Sequence, residues 1–179
     1  VTIIEPGASV LYDWAVQVSE FAPIVFDPNI RPSVMPDLSK YRDEVEKWIK
    51  ISSVVKFSED DIAALYPSED PIGIAKICIE KGVQLVVITR GANGLVGVTT
   101  DGVAEVPGIK VAVVDTVGAG DTVGAIIVEA VTQIGILNLT GSKLREVLHR
   151  AAVAAAITCS RAGAQPPRAF ELTEALERN

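Results

Sequence analysis

Two periodicities alternate along this chain. Val10, Leu11, Trp14, Val18 and Phe21 recur at helical spacing, which predicts an amphipathic helix over 8–21. Residues 23–27, Pro-Ile-Val-Phe-Asp, form a short apolar run of the kind a buried parallel strand carries. Leu38, Tyr41, Val45, Trp48 and Ile49 mark a second helix, and 53–57 read as a second strand. Ser58, with Asp61 three residues on, predicts a capping box opening a short helix that ends before Pro67. Asp70 and Pro71 supply an N-cap and a first-turn proline, and Gly82 supplies a stop. That helix leads into an apolar strand over 84–89.

The pattern then shortens. Residues 95–99, a Thr100-Asp101-Gly102 turn, 103–107 and 110–114 are β segments at close spacing, and Asp-Gly between two such runs signals a hairpin. After Asp115 the period becomes helical: Val123, Ile126, Ile127, Val131 and Ile134 share a face, and Gly135 is a stop. A long helix is expected from Ser142 to Ser160, ending near Gly163, and a last one from Thr173. Strands alternating with helices imply parallel βαβ units. The expected fold is α/β, a three-layer α/β/α arrangement with a mostly parallel sheet, continuous over 1–179 with no repeat or linker.

Composition narrows the function. The 179 residues are 49% hydrophobic, which excludes a disordered chain. Sixteen Lys and Arg against 23 Asp and Glu leave a net charge of −7 with no basic run, which argues against a nucleic-acid polymer as partner. No apolar run approaches the ~18 residues of a membrane span. Cys78 and Cys159 form no CxxC pair and no metal-ligand spacing with His149, so they read as two reduced, buried thiols in a reducing, cytoplasmic setting. The chain opens with Val1 rather than Met and carries no signal-peptide pattern, as expected of a sequence that begins mid-protein.

The most informative segment is Asp115-Thr116-Val117-Gly118-Ala119-Gly120-Asp121-Thr122. It is a turn of small residues leading into an amphipathic helix. Without bulky side chains, the N–H groups of Gly118, Ala119 and Gly120 can approach a ligand closely. At a helix N-terminus, unpaired N–H groups and the helix dipole favour an anion. Asp121, in the first turn, is either a carboxylate that satisfies the helix end or a base beside a bound phosphoryl group.

This segment resembles the D-T-x-G-A-G-D-[TS]-F signature of the ribokinase-like, PfkB-type carbohydrate kinases, with Val123 in the place of the Phe. The resemblance implies that Asp121 is the catalytic base and that Gly118, Ala119 and Gly120 form the anion hole for the transferred phosphoryl group. Other matches follow in order. Asp27-Pro28-Asn29-Ile30-Arg31 resembles the D-P-N-x-R of fructokinase-type members. Asn29 and Arg31 would then face phosphate or sugar. Lys56-Phe57-Ser58-Glu59 resembles the N-x-x-E region with Lys56 in the Asn place. By resemblance Lys56 faces the phosphates and Glu59 helps hold Mg²⁺ through water. Thr89-Arg90-Gly91 with Gly94 resembles the segment that runs along ATP. Residues 152–156, including Ala155, and 161–166 resemble the helix and loop that border the adenine. Asp115, Val117 and Gly163 match positions that hold a monovalent cation such as K⁺.

The resemblance implies an ATP-dependent phosphorylation of a sugar hydroxyl, most like that of a fructokinase, with ATP and Mg²⁺ as cofactors. A 2-keto-3-deoxygluconate kinase or other sugar kinase, and a non-catalytic nucleotide- or sugar-binding module, are the alternatives. Family members run to about 300 residues. Residues 1–9 look like the middle of such a protein, so the expectation is a C-terminal portion, lacking the N-terminal strands, much of the sugar pocket and the lid. Such a portion is expected to be inactive alone, and to self-associate through an unpaired sheet edge and bare apolar faces.

Overall fold

Helices at Leu38, Glu59 and Pro71 begin where Asp37, Ser58 and Asp70 side chains cap them. The computed structural model describes residues 4–33 and 37–178; the start of the 1–9 segment lies outside these. The chain divides into two compact units, Val1–Val87 and Ile88–Asn179.

In the first unit the elements are α1 (Gly7–Ser19), β1 (Val25–Phe26), α2 (Leu38–Ile51), β2 (Val54–Ser58), α3 (Glu59–Leu65), α4 (Pro71–Glu80) and the start of β3 (Leu85–Thr89). Ser58 and Asp61 form the expected capping box, and the Asp70 carboxylate accepts from Gly73 N at 2.7 Å. The strand order here is β1-β2-β3, and β1 pairs parallel to β2 with Val25 opposite Val54. Phe26 stacks on Trp48 with ring centroids 5.4 Å apart, and Phe57, Ile62 and Leu65 complete a core that excludes water.

Helix α1 departs from expectation. Val10, Trp14 and Phe21 were expected on its buried face but are 70%, 61% and 79% exposed. The helix turns Ala8 and Ala15 inward instead, and Tyr12 meets Trp48 edge-on at 5.4 Å. Periodicity identifies an apolar stripe; it does not say which partner covers it.

In the second unit the end of β3 is followed by β4 (Leu95–Thr99) and β5 (Gly102–Val106) as successive neighbours, then α5 (Ala119–Ile134), α6 (Gly141–Cys159) and α7 (Ala169–Arg178). β4 and β5 form the expected antiparallel hairpin, Val96 opposite Glu105. With β1 and β2 parallel and the β4–β5 hairpin antiparallel, the strands form the mixed sheet of the expected α/β fold. Helix α6 lies over β4 so closely that a Cβ on Gly97 would come within 3.1 Å of the Leu144 and Leu148 side chains.

Two further expectations fail here. Residues 110–114 are not a strand. Val113 and Val114 are more than 60% exposed, and the N–H groups of Val114 and Asp115 both donate to the Cys159 carbonyl rather than to a neighbouring strand. Helix α7 starts at Ala169, four residues before Thr173, because the Glu171 carboxylate reaches back to accept from Arg168 N at 2.6 Å. Both cysteines are free. Burial pushes the Cys78 thiol up to about 11, whereas Cys159 is only half-buried. Among the described residues, no helix is long and apolar enough to cross a membrane.

Candidate active site

The second unit builds the glycine turn. Gly118 is the N-cap of α5 and adopts the left-handed conformation, φ 81°. A Cβ there would lie 2.8 Å from Ala164 Cβ and 3.0 Å from Ala164 Cα, so only glycine fits under the 161–164 loop. The first-turn N–H groups of α5 receive no side-chain cap. That leaves donors and the positive end of the helix dipole at the turn. Asp121 sits in this first turn and is exposed.

Asp115 ties the turn to the loop after α6. One carboxylate oxygen accepts from Val117 N at 3.0 Å and the other from Gly163 N at 2.9 Å. These backbone donors, Val117 first, hold the carboxyl below its usual range. The oxygens of Asp115, Val117 and Gly163 are of the hard type a monovalent cation takes, although the Gly163 carbonyl already accepts from Gln165 N at 2.9 Å. Ala155 is half-buried on α6.

Sequence reasoning missed a buried pair behind this turn. Thr122 Oγ1 donates to the Gly118 carbonyl at 2.9 Å and lies 2.9 Å from Thr158 Oγ1, whose hydroxyl also sits 3.1 Å from the Ala154 carbonyl. Two hydroxyl protons serve three contacts, so Thr158 must share or choose between Thr122 and Ala154. The pair anchors the N-terminus of α5 to α6. Thr158 lies outside every motif, and only the helix packing reveals it.

The segment after β3 separates two glycines. Gly94, φ 94°, passes so near the next strand that a Cβ would meet the Val106 carbonyl oxygen at 2.1 Å. Packing alone accounts for it. Gly91, also at positive φ, has open space around its Cβ position. Thr89 is half-buried at the end of β3. The Arg90 guanidinium donates to Glu105 at 3.0 Å, while its buried Nε has no partner among the described residues.

The first unit builds a second cluster at the end of β1. Lys56, almost fully buried, donates to the Asp27 carboxylate at 2.5 Å. Asn29 is exposed in the left-handed region, φ 45°, and Arg31 donates to the Ile30 carbonyl at 2.9 Å. Glu59 is exposed on the first turn of α3. The buried acid of that turn is Asp61, which sequence reasoning took only as a helix cap. Its carboxylate also accepts from Ile30 N at 2.7 Å.

Residues 11–169 match the family described as pfkB family carbohydrate kinase. The chain belongs to this family. It is 41% identical over 102 residues to a fructokinase of Rhizobium leguminosarum bv. trifolii, covering 57% of this chain and 31% of that protein. It is 32% identical over 168 residues to probable fructokinase-6, chloroplastic, of Arabidopsis thaliana, covering 92% of this chain and 44% of that protein. The chain thus spans less than half the length of these two relatives. A crystal structure of a putative ribokinase II from E. coli in complex with ATP and Mg²⁺ superposes with a TM-score of 0.76 at 27% identity, covering 92% of this chain and 52% of that one. The five strands and seven α-helices among the described residues match the ribokinase-like α/β fold of that structure in part.

Proposed function

We propose that this chain carries the nucleotide-binding and catalytic portion of an ATP-dependent sugar kinase, with fructose as the first substrate to try. One observation carries the reading: Gly118, held left-handed where no side chain fits, opens α5 with first-turn N–H groups that no side chain caps, Ala119 N lying 3.3 Å from the Thr116 carbonyl, and with Asp121 in that same turn. Phosphoryl transfer needs positioning and charge stabilisation more than covalent chemistry. The N–H groups of Ala119 and Gly120 and the α5 dipole would offset charge developing on the transferred group. Asp121, open to solvent, would accept the proton of the attacking sugar hydroxyl.

The fructokinase relatives and the ATP- and Mg²⁺-bound ribokinase neighbour support the same substrates here. Among the described residues, no three His, Cys, Asp or Glu side chains cluster as a metal cage. Mg²⁺ keeps several waters and is held through phosphates and one or two carboxylates, the part Glu59 would play. Mg²⁺ would neutralise charge on the phosphate oxygens. Lys56 spends one donor on Asp27 and keeps two for phosphate or water. Asn29 and Arg31 would orient the same groups. The Asp115, Val117 and Gly163 oxygens would hold K⁺.

The test is nucleotide binding by calorimetry with and without Mg²⁺, followed by a coupled assay of the complete protein on a sugar panel. The reading expects Mg²⁺-dependent ATP binding and turnover of a ketose. ATP binding without turnover of any sugar favours a non-catalytic nucleotide-binding module, and no ATP binding at all contradicts both.

A further inference from the structure

We infer that Asp61 is a positioning residue: it fixes the Asp27–Arg31 turn so that Asn29 is presented in its left-handed conformation. The inference rests on the kinase reading for the use made of Asn29, but its structural half stands on its own.

Asp61 does more than cap α3. One carboxylate oxygen accepts from Ser58 N at 2.8 Å and Ser58 Oγ at 2.7 Å, which completes the capping box. A cap uses no more than that. The other oxygen accepts from Ile30 N at 2.7 Å, across 31 residues of sequence. Asp61 is only 6% exposed, and a buried carboxylate is tolerated when donors surround it. Ile30 N is the donor that comes from outside its own helix.

The turn it holds is otherwise unfavourable. A non-glycine residue at positive φ is uncommon, and Asn is among the few that tolerate it. Here the chain on either side of Asn29 is pinned. Asp27 is bound by buried Lys56 on β2, and Ile30, itself 6% exposed, is bound by Asp61 on α3. Pro28 is buried and stiffens the lead-in, and Arg31 closes back on the Ile30 carbonyl. Between two buried anchors from consecutive elements, Asn29 alone is exposed. A free loop would have no reason to stay in this conformation.

A second acceptor oxygen is what the role requires, and it separates latch from cap. Asp61→Asn keeps the shape but offers one carbonyl oxygen, so Ser58 N and Ile30 N cannot both be satisfied. Ser58→Ala removes the hydroxyl half of the cap and leaves the Ile30 bond. The experiment compares both variants with the unaltered protein. Amide hydrogen exchange is measured on the 179-residue chain, and the KM for MgATP with fructose is measured on the complete enzyme. In Asp61→Asn, the Ile30 amide is expected to exchange about tenfold faster or more, the fold-change of one lost hydrogen bond. The KM for MgATP is expected to rise by a similar factor, and Asn29→Ala is expected to add little on top. Ser58→Ala is expected to lower the melting temperature while leaving the Ile30 amide and the KM within about twofold.

An Ile30 amide unchanged in Asp61→Asn overturns the latch. So does a KM that moves equally in both variants, because Asp61 is then only a cap. If Asp61→Asn does not fold, Asp61→Gln, which keeps a capping box with its single carbonyl oxygen, carries the same two readouts. Absence of turnover in the unaltered enzyme contradicts the kinase reading, while the exchange result still decides the latch.

Discussion

Gly118 has no room for a side chain. Its φ of 81° and the 2.8 Å approach to Ala164 Cβ both penalise any other residue. Gly118→Ala is expected to cost about 1–3 kcal/mol, read as a lower urea midpoint. An unchanged midpoint would mean that the turn is not held against the 161–164 loop. At this scale the sequence was most legible where chemistry and backbone geometry coincide. Gly118 could be picked out as a helix start where a side chain would be in the way, whereas Asp121 stood out from an ordinary helix-end carboxylate only through the resemblance of its segment to a kinase signature. Asp61 and Thr158 could not. A carboxylate at the third helical position satisfies a cap whether or not it holds something else, and a threonine in an alanine-rich helix carries no periodic signal. Glu59 and Asp61 are two residues apart in one acidic turn, and only burial tells them apart.

The elements were legible wherever a cap and a period agreed. Ser58 and Asp70 mark helix starts that the structure reproduces. The failures differ in cause: the start of α7 is set by the local Glu171 cap, whereas the inward face of α1 and residues 110–114 are decided by tertiary partners. Residues 110–114 read as a strand, yet their last amides bind the carbonyl at the end of α6. Asp115 continues that attachment, since its carboxylate joins the start of the α5 turn to the loop after α6. Its folded pKa is lowered, so the stabilisation is complete above the unfolded carboxylate value and is lost as pH falls through the folded one. The protection factor of the Gly163 amide, its exchange relative to an unstructured amide at the same pH, should therefore hold near neutral pH and fall only below about pH 4. Asp115→Asn should remove that pH dependence. Loss of protection already at pH 6 would point to a different group.

At the scale of the whole chain, the outer stripe of α1 stands out. Val10, Trp14 and Phe21 offer an uncovered apolar face on the first unit. A patch of this kind on a small unit promotes association. The 179-residue chain is expected to self-associate with rising concentration in sedimentation velocity, and Trp14→Ser with Phe21→Ser to shift it towards monomer. A concentration-independent monomer would show that the face is tolerated bare. Asp121 should be the group that takes the sugar proton, on a helix start that binds phosphate without it. The most direct measurement is phosphoryl transfer by the complete protein carrying Asp121→Asn, beside its affinity for MgATP. The account predicts turnover reduced by about 10²–10⁴-fold with MgATP binding nearly unchanged. Turnover within a few-fold of the unaltered enzyme would contradict it.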